Sequence, residues 1–263
     1  MKGRVLIVAG SDSGGGAGIQ ADIKAVTALG GFAMTTITAV TAQNSCGVQA
    51  VAFMTPGMVA DQMRAVLDDF GADVVKLGML GNAEIMEAVD HTLARYPGQR
   101  CVIDPVMVAT SGARLMTDDG QRAFERLYAR CFMLTPNLRE LEVLTGETIR
   151  SEFDLSRAGR ALRAVRGMDW LLAKGGHLHG PNVVDTLIGR DSEARYSDRK
   201  IDTLHTHGTG CTLASAIAVS LAQGMEVAPA VERARSYVRQ AILQAPPYGT
   251  GQARPMNHLP ILE

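Results

Sequence analysis

The residues best suited to chemistry lie in the run His207-Gly208-Thr209-Gly210-Cys211-Thr212 and the small apolar segment behind it, Leu213 to Ser220. Two glycines permit a tight turn with unusual dihedrals, and the apolar run reads as a buried helix. Such a turn aims unpaired backbone N–H groups, and the positive end of a helix dipole, at one point in space. That is an anion site, and phosphate is the usual anion. A thiol, Cys211, stands at its rim. His205, His207 and Cys211 match no spacing used by structural zinc.

Four further segments carry candidate groups. Asp104 ends an apolar run, and a carboxylate at the carboxyl end of a strand is a Mg²⁺ candidate. Asn137 and Glu140 stand at capping-box spacing, which explains both without any ligand; the alternative places them near a metal and phosphates. Lys174, beside two glycines, could reach a phosphate as a point charge or simply open a turn. The stretch Gly10 to Gly18 lacks the Lys of a P-loop and the glycine frame of a dinucleotide fingerprint. It reads as a flexible turn or as backbone approaching a small ligand.

Asp22 shares an apolar stripe with Ile19, Ile23 and Val26. A carboxylate on a buried face needs a partner; the competing reading is a first-turn Asp favoured by the helix dipole. Gln43 and Asn44 follow the second strand, where amides could read a polar ring or serve an ordinary loop.

The elements that must position these groups alternate. Strands are expected at 4–9, 32–40, 74–77, 101–106, 131–134 and 170–173, with a hairpin over 183–188 and 194–197. Helices are expected at 18–29, 57–70, 83–96, 118–128, 137–144, 155–165, 210–222 and 227–245, with 147–155 an exposed loop. Apolar spacings of three and four support them, as in Val59, Met63, Val66, Leu67 and Phe70. The alternation predicts an α/β fold: one domain over 1–263, its mainly parallel sheet covered on both faces. In such sheets ligands bind beyond the carboxyl ends of the strands, where the candidate loops lie.

Composition narrows the function. With 263 residues and 46% hydrophobic content the chain can build a large core. A net charge of −1 and 5% aromatic residues argue against nucleic acid or a membrane surface as partner. No run approaches the roughly 18 apolar residues of a membrane span. The four cysteines form no C-x-x-C pair, Cys101 and Cys131 read as buried thiols, and a reducing cytosol is the expected home.

The ordered set of segments resembles the ribokinase-like superfamily. Within it the chain is similar to the bacterial hydroxymethylpyrimidine/phosphomethylpyrimidine kinases of thiamine biosynthesis. The resemblance runs through Ala9–Lys24, Thr38–Val48, Lys76–Leu80, Asp104-Pro-Val-Met-Val108, Thr135–Glu140, Lys174-Gly-Gly-His177, His207–Thr212 and the closing Pro255-Met-Asn-His258. It departs at Ser13-Gly14 from the commoner Ser-Ser-Gly-Gly, which removes no side chain assigned a role. It implies a three-layer ribokinase-like sandwich. It also implies an ATP-dependent kinase acting on the CH₂OH of 4-amino-5-hydroxymethyl-2-methylpyrimidine and then on the monophosphate. By the same resemblance Asp22, Gln43, Met79 and Val106 line the ring pocket, with Gly10 and Ala17 in backbone or close contact. Asp104, Asn137 and Glu140 surround Mg²⁺ and the phosphates, Asp104 and Glu140 as metal ligands. Lys174 and Thr209 serve the nucleotide, and Gly208 and Gly210 form the anion hole. Many related sugar kinases carry Asp where Cys211 stands, and a helix N-terminus lowers a thiol pKa. Cys211 is therefore expected to be the general base. A cytoplasmic homodimer is also implied. The rivals are pyridoxal/pyridoxine kinase, a non-catalytic vitamin-binding protein on the same scaffold, and a zinc enzyme.

Overall fold

Val5-Leu-Ile-Val8 is apolar at every position, the pattern of a strand buried on both faces. It forms the middle of β1 (Arg4–Asp12), and the rest of the fold is laid out around it. The computed structural model describes residues 1–109, 112 and 114–261. After β1 come α1 (Gly18–Ala28), β2 (Phe32–Asn44), β3 (Gly47–Phe53), α2 (Pro56–Asp69), β4 (Val74–Leu77), α3 (Ala83–Leu93) and β5 (Cys101–Ile103). Next are α4 (Asp118–Ala123), a 3₁₀ segment (Phe124–Arg130), β6 (Cys131–Leu134), α5 (Leu138–Thr145), α6 (Glu152–Arg166) and β7 (Trp170–Ala173). The chain closes with β8 (Asn182–Ile188), β9 (Glu193–Arg199), α7 (Thr209–Ala222) and α8 (Val227–Leu243).

One sheet runs in the order β3-β2-β1-β4-β5-β6-β7-β8-β9. The six strands from β2 to β7 are parallel, and β3, β8 and β9 add antiparallel edges. Alternate residues of β1 feed two cores. Leu6 and Val8 pack with Met63, Ile85, Val89, Leu127 and Leu141, beneath α2, α3, the 3₁₀ segment and α5. Val5 and Ile7 pack with Ile19, Val26, Ile217, Val231 and Tyr237, beneath α1, α7 and α8. This is the period of two in a strand meeting helices on both sides. The expected α/β sandwich is present.

The chain moves from β1 to β2 on one side and returns to β4 on the other. The reversal leaves a crevice at the carboxyl ends of β1 and β4, where open α/β sheets place ligands. Three local differences bear on the site. β1 continues through Ser11 and Asp12, paired with Val40 and Thr41 of β2, where a glycine loop was expected from residue 10. β2 reaches Asn44 and folds back as β3, so Gln43 belongs to a hairpin. The helix expected over 118–128 changes to 3₁₀ at Phe124.

Candidate active site

α7 begins on Gly208, whose φ of 79° and ψ of 9° lie in the left-handed region, and no side chain caps it. The first-turn amides of Gly210 and Cys211 find no acceptor among the described residues. They and the helix dipole therefore face the cavity that Gly208, Thr209, Gly210 and Cys211 line. Behind them α7 is buried at every position from Thr212 to Leu221. The expected anion-binding turn is thus formed, and its direction is fixed by the core.

The turn is locked to the loop after β1. A Cβ on Gly208 would overlap the carbonyl oxygen of Gly16, and one on Gly16 would lie 2.5 Å from His207 Cδ2. Asp12 gathers the same two segments. Its Oδ1 accepts the N–H of Gly14 at 2.8 Å, and its Oδ2 accepts those of Gly16 at 3.0 Å and Ala17 at 2.8 Å. His207 Nε2 lies 2.9 Å from Asp12 Oδ2. Burial works against the Asp12 charge, but His207 and the loop amides outweigh it and hold the carboxyl below its usual value. Gln43 Nε2 sits 3.3 Å from His207 Nε2 and so joins this corner. Asp12 was absent from the residues singled out in the sequence. Its position just ahead of a glycine run is the signature of an Asx turn.

A second wall carries the charged groups. Lys174 Nζ donates to Asp104 Oδ1 at 2.9 Å, and Thr135 Oγ1 donates to the same oxygen at 3.1 Å. Burial opposes the Lys174 charge, yet Asp104 and Glu140 more than offset it and hold the ammonium above its usual value. The capping box is real: Glu140 N donates to Asn137 Oδ1 at 3.0 Å, and Asn137 N to Glu140 Oε2 at 2.8 Å. The same residues also line the cavity, so cap and site reading hold together. Burial pushes the Glu140 carboxyl up to about 7; Lys174 opposes that and Asp104 adds to it. A Cβ at Gly210 would lie 3.3 Å from Lys174 Nζ and 3.4 Å from Asp104 Oδ2, so this wall abuts the first turn of α7.

Among the described residues no group of three His, Cys, Asp or Glu side chains is arranged to hold a metal. Mg²⁺ commonly uses one or two carboxylates and completes its shell with water and phosphate oxygens. Asp104 and a Glu140 carboxyl poised near neutrality fit that mode.

The walls enclose a cavity of about 600 Å³. Gly10, Ala17, Gln43, Met79 and Val106 line it, as do Asp104, Asn137, Glu140 and Lys174. The cavity thus brings together every site residue that the family resemblance named except Asp22, while the Asn44 amide does not line it. Asp22 is fully buried, paired with Lys76 Nζ at 2.8 Å, and touches no part of the cavity. The buried-stripe reading of Asp22 holds, and its side chain lies behind the cavity lining. The expected lowering of the Cys211 thiol is opposed by its surroundings. Burial pushes the Cys211 thiol up to about 12, and the opposing pull of Lys76 and an N–H from Gly18 does not restore it.

The closing Pro255–His258 segment supports the turn from outside. Pro255 bridges His207, and His258 Nε2 lies 3.1 Å from Thr212 Oγ1 in the first helical turn. Burial pushes the His258 imidazole down to about 4. Above pH 6.5 it is neutral folded or unfolded; below that the unfolded chain takes up a proton that the fold refuses. Stability is therefore expected to drop as pH falls from about 6.5 toward 4, by about 2 kcal/mol at pH 5. Thermal melts at pH 7 and pH 5 check this, and His258→Gln should show the smaller difference.

Comparison with known proteins gives a consistent picture. The phosphomethylpyrimidine kinase family matches residues 12–257. A hydroxymethylpyrimidine/phosphomethylpyrimidine kinase of Streptomyces coelicolor is 46% identical over 255 residues, covering 97% of this chain and 93% of that protein. A thiamine biosynthesis bifunctional protein of Geobacter sulfurreducens is 46% identical over 259 residues, covering 98% of this chain. The chain spans about half of that longer protein, 52%. Among solved structures, the phosphomethylpyrimidine kinase of Clostridium difficile 630 superposes with a TM-score of 0.79 at 38% identity, covering 91% of this chain and 99% of that one. An ADP complex of Bacillus subtilis pyridoxal kinase superposes with a TM-score of 0.88 at 30% identity, covering 98% of each chain.

Proposed function

The chain belongs to the phosphomethylpyrimidine kinase family, and on that premise we propose that it transfers the γ-phosphoryl group of ATP to the hydroxymethyl of 4-amino-5-hydroxymethyl-2-methylpyrimidine, and then to the monophosphate. The observation that carries this reading is the abutment of the uncapped α7 turn on the Lys174–Asp104 pair, in a cavity that the Gln43 amide also lines. The amide suits a polar ring, and the turn with its charged wall suits a phosphate chain.

The residues divide the work accordingly. Gln43 presents an amide to the ring, with Met79 and Val106 as walls and Gly10 and Ala17 as close backbone. Lys174 and Thr209 meet the nucleotide phosphates. Asp104 and Glu140 would hold Mg²⁺, which when bound neutralises phosphate charge. The Gly208–Cys211 amides receive the group in transit. The hydroxymethyl oxygen bonds to the γ-phosphorus as the bond to the β,γ-bridging oxygen breaks, ADP leaves, and the hydroxyl proton passes to an oxygen of the transferred phosphoryl group. Transfer of this kind depends mainly on positioning and charge neutralisation, and a loose transition state asks for little early deprotonation. A neutral Cys211 thiol is compatible with that; it then shapes the pocket instead of accepting the proton. A cytoplasmic homodimer completes the proposal.

An ADP-release assay with MgATP and the pyrimidine, following mono- and diphosphate over time, tests the reading. Pyridoxal run in parallel decides between the two kinds of kinase whose structures this fold resembles. A higher kcat/KM for pyridoxal overturns the pyrimidine assignment.

Glu140 adds a pH signature. Its carboxyl must ionise to hold a cation, so KM for MgATP is expected to fall as pH rises from 6 to 8, by up to about tenfold per unit below the pKa. The folded chain also keeps a proton that the unfolded chain releases between about 4.5 and 7. Apo stability should therefore decline as pH rises through that window. Glu140→Gln preserves the cap, and it should flatten the KM profile while raising the melting temperature of the apo protein at pH 8.

A further inference from the structure

Lys76 and Asp22 form an ion pair with no exposed side-chain surface. Lys76 lies on β4 between β1 and β5, and Asp22 on α1. Ser215 Oγ donates to Asp22 Oδ1 at 2.7 Å while Lys76 Nζ donates to Oδ2 at 2.8 Å. Both carboxylate oxygens therefore accept, which is the bonding of an ionised pair. Packing alone does not call for it, because replacing a buried ion pair with apolar side chains of similar volume is often neutral or stabilising.

The position of the pair suggests its use. Ser215 stands one helical turn beyond Cys211, so the face of α7 that carries the thiol rests on this pair. A Cβ on Gly78 would lie 2.8 Å from Lys76 Nζ, which places the ammonium against the backbone just ahead of Met79 in the cavity wall. Among the described residues Asp22 is the hydrogen-bond acceptor that Lys76 reaches. The charges that act on Cys211 are those of Lys76 from β4, Asp22 from α1, Asp104 beyond β5 and Lys174 beyond β7.

We propose that Lys76 is a positioning residue for phosphoryl transfer: its ammonium, held by Asp22 and Ser215, supplies positive potential behind the first turn of α7, where Cys211 stands and the phosphoryl group is received. In a dry site such a fixed charge acts strongly and needs no reorganisation during the reaction. Burial alone would push the Lys76 ammonium down; Asp22, Cys211 and Asp104 reverse this and keep it charged. The same charge pulls the Cys211 thiol downward against its burial.

The transfer role rests on the kinase reading, whereas the potential itself is testable without any substrate. Cys211 lines the cavity and so reports the potential through its alkylation by iodoacetamide. The rate is followed from pH 7 to 10 by mass spectrometry in a Cys46→Ser background, because Cys46 is exposed. Lys76→Met removes the ammonium, and alkylation at a given pH should slow tenfold or more. Lys76→Arg keeps the positive charge and should stay within threefold of the parent. A slow Met variant beside a near-parental Arg variant supports the proposal; a Met variant as fast as the parent, or both variants equally slowed, overturns it. Should a single variant fail to fold, Lys76→Met/Asp22→Asn removes both charges and should still alkylate more slowly than the parent; an unchanged rate overturns the proposal. In that double variant kcat for the pyrimidine should fall at least tenfold with KM within threefold. An unchanged kcat overturns the transfer role even where the alkylation rates shift. Failure of the parent protein to phosphorylate the pyrimidine overturns the functional reading instead and leaves the alkylation result standing.

Discussion

Gly208→Ala is expected to lower kcat by about 10²–10³-fold, the scale of losing a preorganised anion-binding donor. Two effects combine at this residue. Its φ of 79° is left-handed, where an L side chain costs roughly 1–2 kcal/mol. Its Cβ would also overlap the Gly16 carbonyl oxygen. Relief requires either the start of α7 or the 13–17 loop to move. A shift of about 1 Å in groups that position the reaction is enough to cost on the order of 10²-fold. The melting temperature should fall as well, since the same overlap strains the folded state. Steady-state kinetics and a thermal melt on one preparation check both. A variant with normal kcat and a lowered melting temperature would assign Gly208 to folding alone.

Lys174→Met should be about as damaging to turnover, about 10²–10³-fold in kcat. It should also raise KM for MgATP. The ammonium lies 2.9 Å from Asp104, and Glu140 feels its charge. Without it two carboxyl groups share a buried wall with no cation, and like charges there favour protonation of one. The variant should therefore be less stable than the parent at pH 8 and recover part of the loss at pH 6. Melts at the two pH values separate this from simple loss of packing, which would cost the same at both.

Much of this was legible in the chain because the signals were local. Gly208 and Gly210 ahead of an apolar run specified a helix start without a side-chain cap. The Asn137–Glu140 spacing specified a capping box, and apolar runs located the buried strands. What escaped depended on residues far apart in sequence. Asp22 reads as a buried carboxylate, but its partner Lys76 lies 54 positions away inside an apolar strand. Nothing local says that the two meet behind the cavity. The β3 strand was missed because Gln49 to Phe53 is an exposed edge, without the alternation that a half-buried strand shows. The expected Cys211 thiolate followed from helix position alone. Burial, visible only once α1, β4 and α7 are assembled, decides the opposite way.

The contact between Gly16 and Gly208 also constrains how this protein could change its preference for substrate. The loop proposed to approach the ring and the turn proposed to receive the phosphoryl group meet backbone to backbone, through two glycines at which a Cβ would clash. Enlarging the ring pocket from that side would disturb transfer, so most such variants would be lost before a new preference could appear. Met79 and Val106 line the cavity outside those two interlocked loops. Accepting a different ring is therefore expected to be reached through substitutions there, with the glycine pair left unaltered.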